Sequence, residues 1–334
     1  MYVKKPTKCK NRSKSSCLSS KMAIFVQMPY NQMCEMKPII EAIPREQIER
    51  ELTADKKLRD TNKAGNEIYV ITAADSPAVM REIGRLREVS FREAGGGTGQ
   101  EVDIDEDDLA SDGYRQLIVW DPAAREIVGG YRFIVCRSTH PAHLSTEHYF
   151  RFSDQFREEF LPWTIELGRS FVQPRYQSRD NNKSIFALDN LWDGLGALIV
   201  TNPEVRYFFG KVTMYTNFNV EARNMIIYFM HRYFPDRDAL MEGINPVEME
   251  IDYAKFDAIF TGDNYNEDHR TLCQQVRERG ENIPPLINSY MSLSPTMRVF
   301  PTVHNNDFGA VEETGILITI ADIYPAKSER HIKY

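Results

Sequence analysis

Segments with strand-like and helix-like patterns alternate along the middle of the chain, and this alternation limits the folds open to it. Residues 67–72 (EIYVIT) are β-branched and aromatic, which is typical of a strand. Ser76 and Pro77 then supply a helix cap and a proline at the first helical position. Other strands are predicted at 116–120, 127–136, 164–172, 207–215 and 315–320, and helices at 39–60, 76–93, 153–160, 184–200, 220–234 and 267–279. The chain therefore combines both kinds of element.

The formal charge of −7 is distributed unevenly over the 334 residues. Residues 1–34 contain seven basic and no acidic side chains, so the remaining 34 basic and 48 acidic residues sum to −14. A body this acidic repels phosphate backbones, which disfavours binding to nucleic acid. We expect residues 1–36 to be a disordered leader, with translation naturally starting at Met36. Residues 37–334 are expected to form one domain, with its core at 66–235 and a C-terminal extension at 236–334.

The apolar and cysteine patterns indicate a cytoplasmic protein. Hydrophobic residues make up 42% of the chain, yet no stretch approaches the roughly 18 consecutive apolar residues of a membrane span. Cys136 and Cys273 are the two cysteines outside the leader, and neither belongs to a CxxC pair. This usage suits a reducing compartment.

Three patterns that can bind phosphate or metal have simpler explanations. The glycine run at 95–99 follows a helix and lacks the lysine of a P-loop, so we expect a flexible hinge continuing into the acidic residues 101–112. These acidic residues lack the glycine and glutamate that a calcium loop requires. His140, His143 and His148 lie in a loop-like context, which favours solvated histidines over a metal site. We therefore expect no metal and no cofactor.

His231 and Asp236 have the HxxxxD spacing that glycerolipid acyltransferases use to activate a hydroxyl group. The pair falls where a predicted helix ends before Pro235, and the phosphate-binding motif that accompanies it in those enzymes is missing. A histidine near a helix C-terminus, where its cation suits the helix dipole, is the favoured interpretation.

The tetrapeptide Glu166-Leu167-Gly168-Arg169 is the most informative feature of the chain. A glycine between opposite charges is a poor choice for core packing inside a strand. Strand alternation places Glu166, Gly168 and Ser170 on one face, where Gly168 would let a ligand lie against the backbone beside a carboxylate. That carboxylate can bind or deprotonate the ligand. An internal salt bridge between Glu166 and Arg169 explains the same residues equally well.

The order of several motifs resembles the GNAT superfamily of N-acyltransferases, in the branch labelled hemolysin that contains the enzymes of glycine-lipid and ornithine-lipid synthesis. The motifs are Arg87 and Phe91, DIDEDD at 103–108, Gly129-Gly130-Tyr131-Arg132, ELGR at 166–169, Leu191-Trp192-Asp193-Gly194 and residues 207–210. Acyl-homoserine lactone synthases resemble the chain more distantly. Gln116 stands where many members of the branch carry histidine, and the overall likeness is nearest to glycine N-acyltransferases.

The resemblance implies an α+β fold, with a twisted, mostly antiparallel mixed sheet flanked by helices and followed by a C-terminal extension. The strands at 164–172 and 207–215 would run parallel and splay apart, so that an acyl thioester enters between them. An amine would attack the thioester directly, without a covalent acyl-enzyme. Backbone N–H groups near 168–170 would stabilise the oxyanion.

The resemblance also implies roles for individual residues. Glu166 would orient or deprotonate the amine, with Gly168 and Arg169 beside it at the catalytic centre. Arg132 and Arg169 would either hold the carboxylate of the acceptor or order the acidic run. The other residues predicted to bind substrate are Arg87, Phe91, Asp103, Asp105 and Ser170. The residues predicted to bind the phosphopantetheine arm of the donor are Arg175, Arg179 and Lys183.

The function implied by the resemblance is N-acyl transfer in aminolipid synthesis. The donor would be the acyl carrier protein, or coenzyme A, carrying a long 3-hydroxylated chain, and the acceptor would be glycine first and ornithine second. The enzyme would be cytoplasmic, with transient contact to the inner face of the membrane through residues 95–112 and no nucleic-acid partner. The alternatives are an autoinducer synthase that uses S-adenosylmethionine and a GNAT-like binding module without catalysis.

Overall fold

One eight-stranded sheet organises the chain, with strand order β1-β2-β3-β4-β6-β7-β10-β9. The structure is a computed structural model that describes residues 36–137, 143–177 and 184–332. Its strands are β1 (Lys57–Asp60), β2 (Glu67–Ile71), β3 (Arg115–Asp121), β4 (Glu126–Val135), β5 (Phe150–Phe152), β6 (Thr164–Val172), β7 (Tyr207–Met214), β8 (Met241–Gly243), β9 (Arg298–Asn305) and β10 (Val311–Thr319). Neighbours in the large sheet are antiparallel except β6 and β7, which are parallel, and β5 pairs with β8 separately. The mixed, mostly antiparallel sheet predicted from the resemblance is confirmed.

Helices cover both faces of this sheet. They are α1 (Arg45–Glu51), α2 (Pro77–Ala94), α3 (Glu106–Leu109), α4 (Ser184–Thr201), α5 (Val220–Tyr233), α6 (Tyr253–Ile259), α7 (Tyr265–Glu278), α8 (Pro285–Met291) and α9 (Pro325–His331). Leu117 and Val119 pack in a cluster with α4 and α5, whereas the alternate residues Ile118 and Trp120 pack with α2. Strand alternation thus separates two hydrophobic cores. Among the described residues, no helix is long and apolar enough to cross a bilayer.

The helix α2 follows the predicted pattern closely. Pro77 occupies its first turn, and its buried residues Val79, Ile83 and Leu86 form one apolar stripe. It ends where Gly95 adopts a left-handed conformation with φ of 99°, which glycine reaches without a steric penalty. This helix places Arg87 in the protein interior.

Two predictions differ from the structure. A single helix was expected at 39–60, but this segment contains the short helix α1 followed by the strand β1. The strand β1 carries several charged residues and pairs with β2, so it protects the edge of β2 from pairing with another chain. The strand expected at 315–320 begins earlier, at Val311, and a strand that the pattern did not indicate, β9, lies beside it. Because β10 pairs with β7, residues after 235 complete the main sheet.

The close approach of β4 to its neighbours depends on Gly130. A Cβ atom added there would lie 2.5 Å from the carbonyl oxygen of Leu117, inside the β3–β4 ladder. At Gly168, an added Cβ would lie 3.4 Å from Nε of Arg132, an ordinary contact.

We predict that Gly130→Ala lowers the free energy of unfolding by about 1–3 kcal/mol, whereas the control Gly168→Ala leaves it nearly unchanged. Urea unfolding measures both, and equal stabilities would contradict the register described for β4.

Candidate active site

The parallel strands β6 and β7 separate part-way along their length. Their pairing runs from Thr164 opposite Tyr207 to Leu167 opposite Gly210 and ends there, although β6 continues to Val172 and β7 to Met214. The strands therefore open a wedge in the middle of the sheet. Backbone groups at the edges of this wedge are no longer used by the parallel ladder, so they are available to a ligand.

A β-bulge in β6 lies next to the wedge. Gly130 pairs with Phe171 and Arg132 with Gly168, so Arg169 and one further β6 residue oppose a single residue of β4. Arg169 has a left-handed φ of 51°, a conformation that the first residue adopts in one class of bulge. The bulge shifts the alternation, because Phe171 packs in the α2 core while Ser170 is exposed. The prediction that Ser170 shares a face with Glu166 is therefore wrong.

Glu166 is a buried carboxyl group on β6 beside the wedge, with an exposed fraction of 0%. Its Oε1 accepts a hydrogen bond of 3.2 Å from Oγ of Ser145, and its buried Oε2 has no partner among the described residues. Burial raises the pKa of Glu166 to about 7, against the opposing effect of the Arg132 charge. A carboxyl group that titrates near neutral pH can accept a proton from an amine.

The salt bridge proposed between Glu166 and Arg169 does not form. Nε of Arg169 lies 3.4 Å from Asp103, and its Nη2 lies 3.5 Å from Asp105. The guanidinium also stacks over the ring of Phe308, at 4.7 Å from its centroid. Arg169 is therefore directed to the acidic run, and the carboxyl group of Glu166 keeps an unpaired oxygen.

Tyr114 and Ser145 complete the surroundings of Glu166, and no sequence pattern indicated either residue. The backbone N–H of Ser145 donates to the hydroxyl of Tyr114 over 2.9 Å. Burial and the charge of Glu166 raise the pKa of Tyr114, so it stays a neutral phenol. The guanidinium of Arg132 lies 4.4 Å above the Tyr114 ring. Local spacing carries no signal for these contacts, because they join segments that are distant in sequence.

Arg87, which was predicted to bind substrate, lies in the interior. Its side chain is fully buried, with Nη1 at 3.0 Å from Asp108 and Nη2 donating to Oε1 of Gln116 over 2.6 Å. Gln116 in turn donates to Asp108 over 2.8 Å. Although burial opposes it, the charges of Arg87 and Arg132 hold the pKa of Asp108 well below its ordinary value. Arg87 therefore anchors the acidic run, and its contact with substrate stays a prediction.

The acidic run is packed, whereas the sequence predicted a flexible hinge. Asp103 and Asp108 are buried, and Asp105 caps α3 by accepting from the backbone N–H of Asp108 over 3.0 Å. Nη1 of Arg132 lies 2.7 Å from both carboxylate oxygens of Asp105. Of the two roles left open for Arg132 and Arg169, ordering the acidic run is the one that their contacts support.

Gly168 does not leave an open groove on the face of Glu166. Because Arg132 pairs with Gly168 across the ladder, the Arg132 side chain passes within 3.4 Å of the position that a Cβ would occupy.

Phe91, also predicted to bind substrate, is a core residue that meets Phe308 edge-on at 4.9 Å. Burial raises the pKa of Asp103 against the charge of Arg169, and no hydrogen bond reaches its oxygens within the described part of the chain.

Comparison with known proteins supports the assignment made from the motifs. Residues 86–186 match the family model described as "Acetyltransferase (GNAT) domain". The "Glycine N(alpha)-acyltransferase" of Phocaeicola vulgatus is 53% identical over 304 residues, which cover 89% of this chain and 93% of that protein. The protein of the same name from Bacteroides thetaiotaomicron is 52% identical, covering 89% and 90%. The chain belongs to this family of GNAT N-acyltransferases.

A solved CoA-dependent acyl-homoserine lactone synthase, BjaI, is 18% identical and covers 48% of this N-acyltransferase and 72% of its own chain. The TM-score of 0.29 is too low to support an inference. The resemblance to GNAT N-acyltransferases stated from the sequence is confirmed by the family model and by the two relatives.

The basic residues predicted to bind the acyl donor of this N-acyltransferase lie beyond β6. Nη1 of Arg175 contacts both carboxylate oxygens of Glu126, at 2.6 and 2.8 Å. Arg179 and Lys183 lie outside the described residues, as does His140. Within the described ranges no cluster of histidine, cysteine or carboxylate side chains could hold a metal ion.

His231 lies in the last turn of α5, where the sequence predicted it. Burial lowers the pKa of His231, which disfavours the cation that was expected to suit the helix dipole. Asp236 accepts a hydrogen bond of 2.6 Å from the backbone N–H of Leu240, and so supports a turn. This pair is separate from the site around Glu166.

The buried charge network predicts how the N-acyltransferase responds to loss of Arg87. Arg87→Met would leave Asp108 and Asp103 with less compensation in a dry interior, so we predict a loss of roughly 3 kcal/mol or more in the free energy of unfolding. The matched control is Arg81→Met, because Arg81 is an exposed arginine on the same helix. Denaturant unfolding measures the free energy of unfolding of both variants. Equal values for the two variants would contradict the proposed anchoring of the acidic run.

Proposed function

We propose that the chain transfers a long, 3-hydroxylated acyl group from the acyl carrier protein to the amine of glycine, as a step in aminolipid synthesis. Transfer of an acyl group to an amine is supported by the position of Glu166. This carboxyl group is buried beside the wedge between β6 and β7, and one of its oxygens has no hydrogen-bond partner among the described residues. Glycine as acceptor is supported by the name of the two relatives that match most of the chain. Ornithine is the second candidate acceptor.

In the proposed reaction, Glu166 accepts a proton from the ammonium group of glycine, and the free amine attacks the thioester carbon. The new C–N bond forms first and gives a tetrahedral oxyanion, which collapses as the C–S bond breaks. The second proton of the amine passes to the departing sulfur, so the carrier leaves as a free thiol and the nitrogen becomes an amide. Backbone N–H groups near the bulge at 168–170 stabilise the oxyanion in this scheme. A direct attack is supported by Cys136, since burial raises the pKa of its thiol and so suppresses the thiolate that a covalent route needs.

The donor is proposed to reach the wedge from the segment after β6. Arg175, Arg179 and Lys183 form the proposed contact for the phosphate of the phosphopantetheine arm, and the same cations suit an acidic carrier protein. Coenzyme A carries the same arm and is the alternative donor. The proposed location is the cytoplasm.

We also propose transient contact with the inner face of the membrane through residues 95–112. Leu109 in this segment is 63% exposed, which gives it an apolar group to insert. Flotation with liposomes tests this contact, and absence of binding with and without acyl donor would contradict it.

Product mass spectrometry tests the proposed function. The protein is incubated with 3-hydroxyacyl carrier protein or 3-hydroxyacyl coenzyme A and separately with glycine, ornithine or S-adenosylmethionine, with a control that lacks enzyme. Acylated glycine is the expected product. A lactone formed from S-adenosylmethionine would instead support the autoinducer alternative, and no product from a folded protein would support a binding module.

We predict that kcat/KM for glycine rises with pH through a midpoint near 7, because Glu166 must lose its proton before it can accept another. Glu166→Gln is expected to lower kcat/KM by at least about 100-fold. The exposed Glu204 supplies the control Glu204→Gln, which should keep wild-type activity. Full activity of Glu166→Gln would contradict the proposed base.

Melting temperatures of the same variants separate catalysis from packing. A carboxyl group whose pKa is raised on folding stabilises the fold below its unfolded pKa, and that stabilisation is lost as pH rises through about 7. Glu166→Gln should therefore gain stability relative to wild type between pH 5 and pH 8. A variant that is destabilised equally at both pH values would indicate a structural role.

A further inference from the structure

Lys211 is a half-buried cation on the other edge of the wedge. Glu166 pairs with Phe209 across the parallel ladder, so Lys211, two residues further along β7, lies on the same face of the sheet. It is the first residue of β7 after the pairing with β6 ends at Gly210. Its charge also acts on Glu166, where it lowers the pKa that burial raises. Lys211 thus faces the wedge that the reaction uses.

The other two cations of the site are already shared among several carboxylates. Arg132 lies within 4 Å of Asp105, Asp107 and Asp108, and Arg169 contacts two aspartates. Lys211 has one carboxylate partner among the described residues, Glu313 on β10. An ammonium group has three protons to donate, so Lys211 retains capacity for a second anion.

We propose that Lys211 binds the carboxylate of the acceptor amino acid while Glu166 takes the proton from its amine. This inference rests on the proposed function, and it names the group that distinguishes an amino acid from other amines. Lys211 lies two residues beyond the ladder partner of Glu166, which corresponds to about 7 Å along the direction of the strands. An amino acid that is hydrogen bonded at both its amine and its carboxylate spans a comparable distance.

The sheet neighbour of Lys211 on β10 brings no further carboxylate to its ammonium group. That ladder partner is Gly315, against which the side chains of Phe300 and Phe150 pack. An ammonium group in apolar surroundings of this kind interacts more strongly with an anion than it would in water. Lys211 also lies over the ring of Tyr149, at 4.7 Å from the centroid, which favours a cation on that side.

Glu313 is the carboxylate that pairs with the ammonium group of Lys211. Burial lowers the pKa of Lys211, and the adjacent carboxylate of Glu313 opposes this effect. Glu313 is itself buried, and its Oε1 accepts a hydrogen bond of 3.3 Å from Thr213. The pair therefore presents a positioned ammonium group to the wedge.

The test compares glycine with glycinamide, which has the amine but no carboxylate. Lys211→Met alone would leave Glu313 buried without a partner, so the double variant Lys211→Met/Glu313→Gln is measured beside it, and Thr213→Val serves as the uncharged control. We expect the double variant to raise KM for glycine and to reduce the glycine-to-glycinamide ratio of kcat/KM by roughly 10- to 100-fold. Because the ratio is compared between variant and wild type, the different basicities of the two amines cancel.

KM for the acyl donor and the melting temperature of the double variant should stay near their wild-type values, and Thr213→Val should keep the wild-type ratio. An unchanged ratio in a folded double variant, while the wild type still makes N-acylglycine, would overturn the role of Lys211 alone. Failure of the wild type to acylate any amino acid would overturn the proposed function and this inference together.

Discussion

Buried pairing between arginines and the acidic run fixes the geometry on which the site depends. Taking a charge out of water is costly, and the cost is recovered only when oppositely charged groups meet in good hydrogen-bonding geometry. Arg87 from α2 and Arg132 from β4 meet Asp108 and Asp105, so a helix, a strand and a loop are held together by ion pairs. The same contacts occupy both guanidinium groups, and neither forms an ion pair with the carboxyl group of Glu166 among the described residues.

The isolation of Glu166 follows from that arrangement. Arg169 is directed to Asp103 and Asp105, and Glu166 accepts a neutral hydrogen bond from Ser145. Burial then dominates the pKa of the Glu166 carboxyl group and brings it to about 7. The wedge between β6 and β7 adds the space that a substrate needs, so one strand supplies both the carboxyl group and one edge of the opening.

Features fixed by local pattern could be predicted from the sequence. The strand Thr164–Val172 and the helix starting at Pro77 occupy the predicted positions, because alternation and capping are short-range signals. The ordered motifs indicate the superfamily, which the family model and the two relatives confirm.

Features fixed by long-range contacts could not be predicted. The bulge at Arg169 depends on how β4 pairs with β6, and it moves Ser170 off the expected face. The acidic run has the composition of a solvated loop, and only the tertiary contacts with Arg87 and Arg132 explain why it is packed. Lys211 shows no signal in its own segment, since its position matters only after β6 and β7 are paired.

The proposed reaction requires that Glu166 titrates near neutral pH in the folded protein. Carbon-13 NMR of protein labelled at the glutamate carboxyl carbon measures this directly, with Glu166→Gln used to assign the signal. We expect a midpoint near pH 7 for Glu166, well above those of the exposed glutamates. A midpoint below about pH 5, within the ordinary range for glutamate, would contradict it.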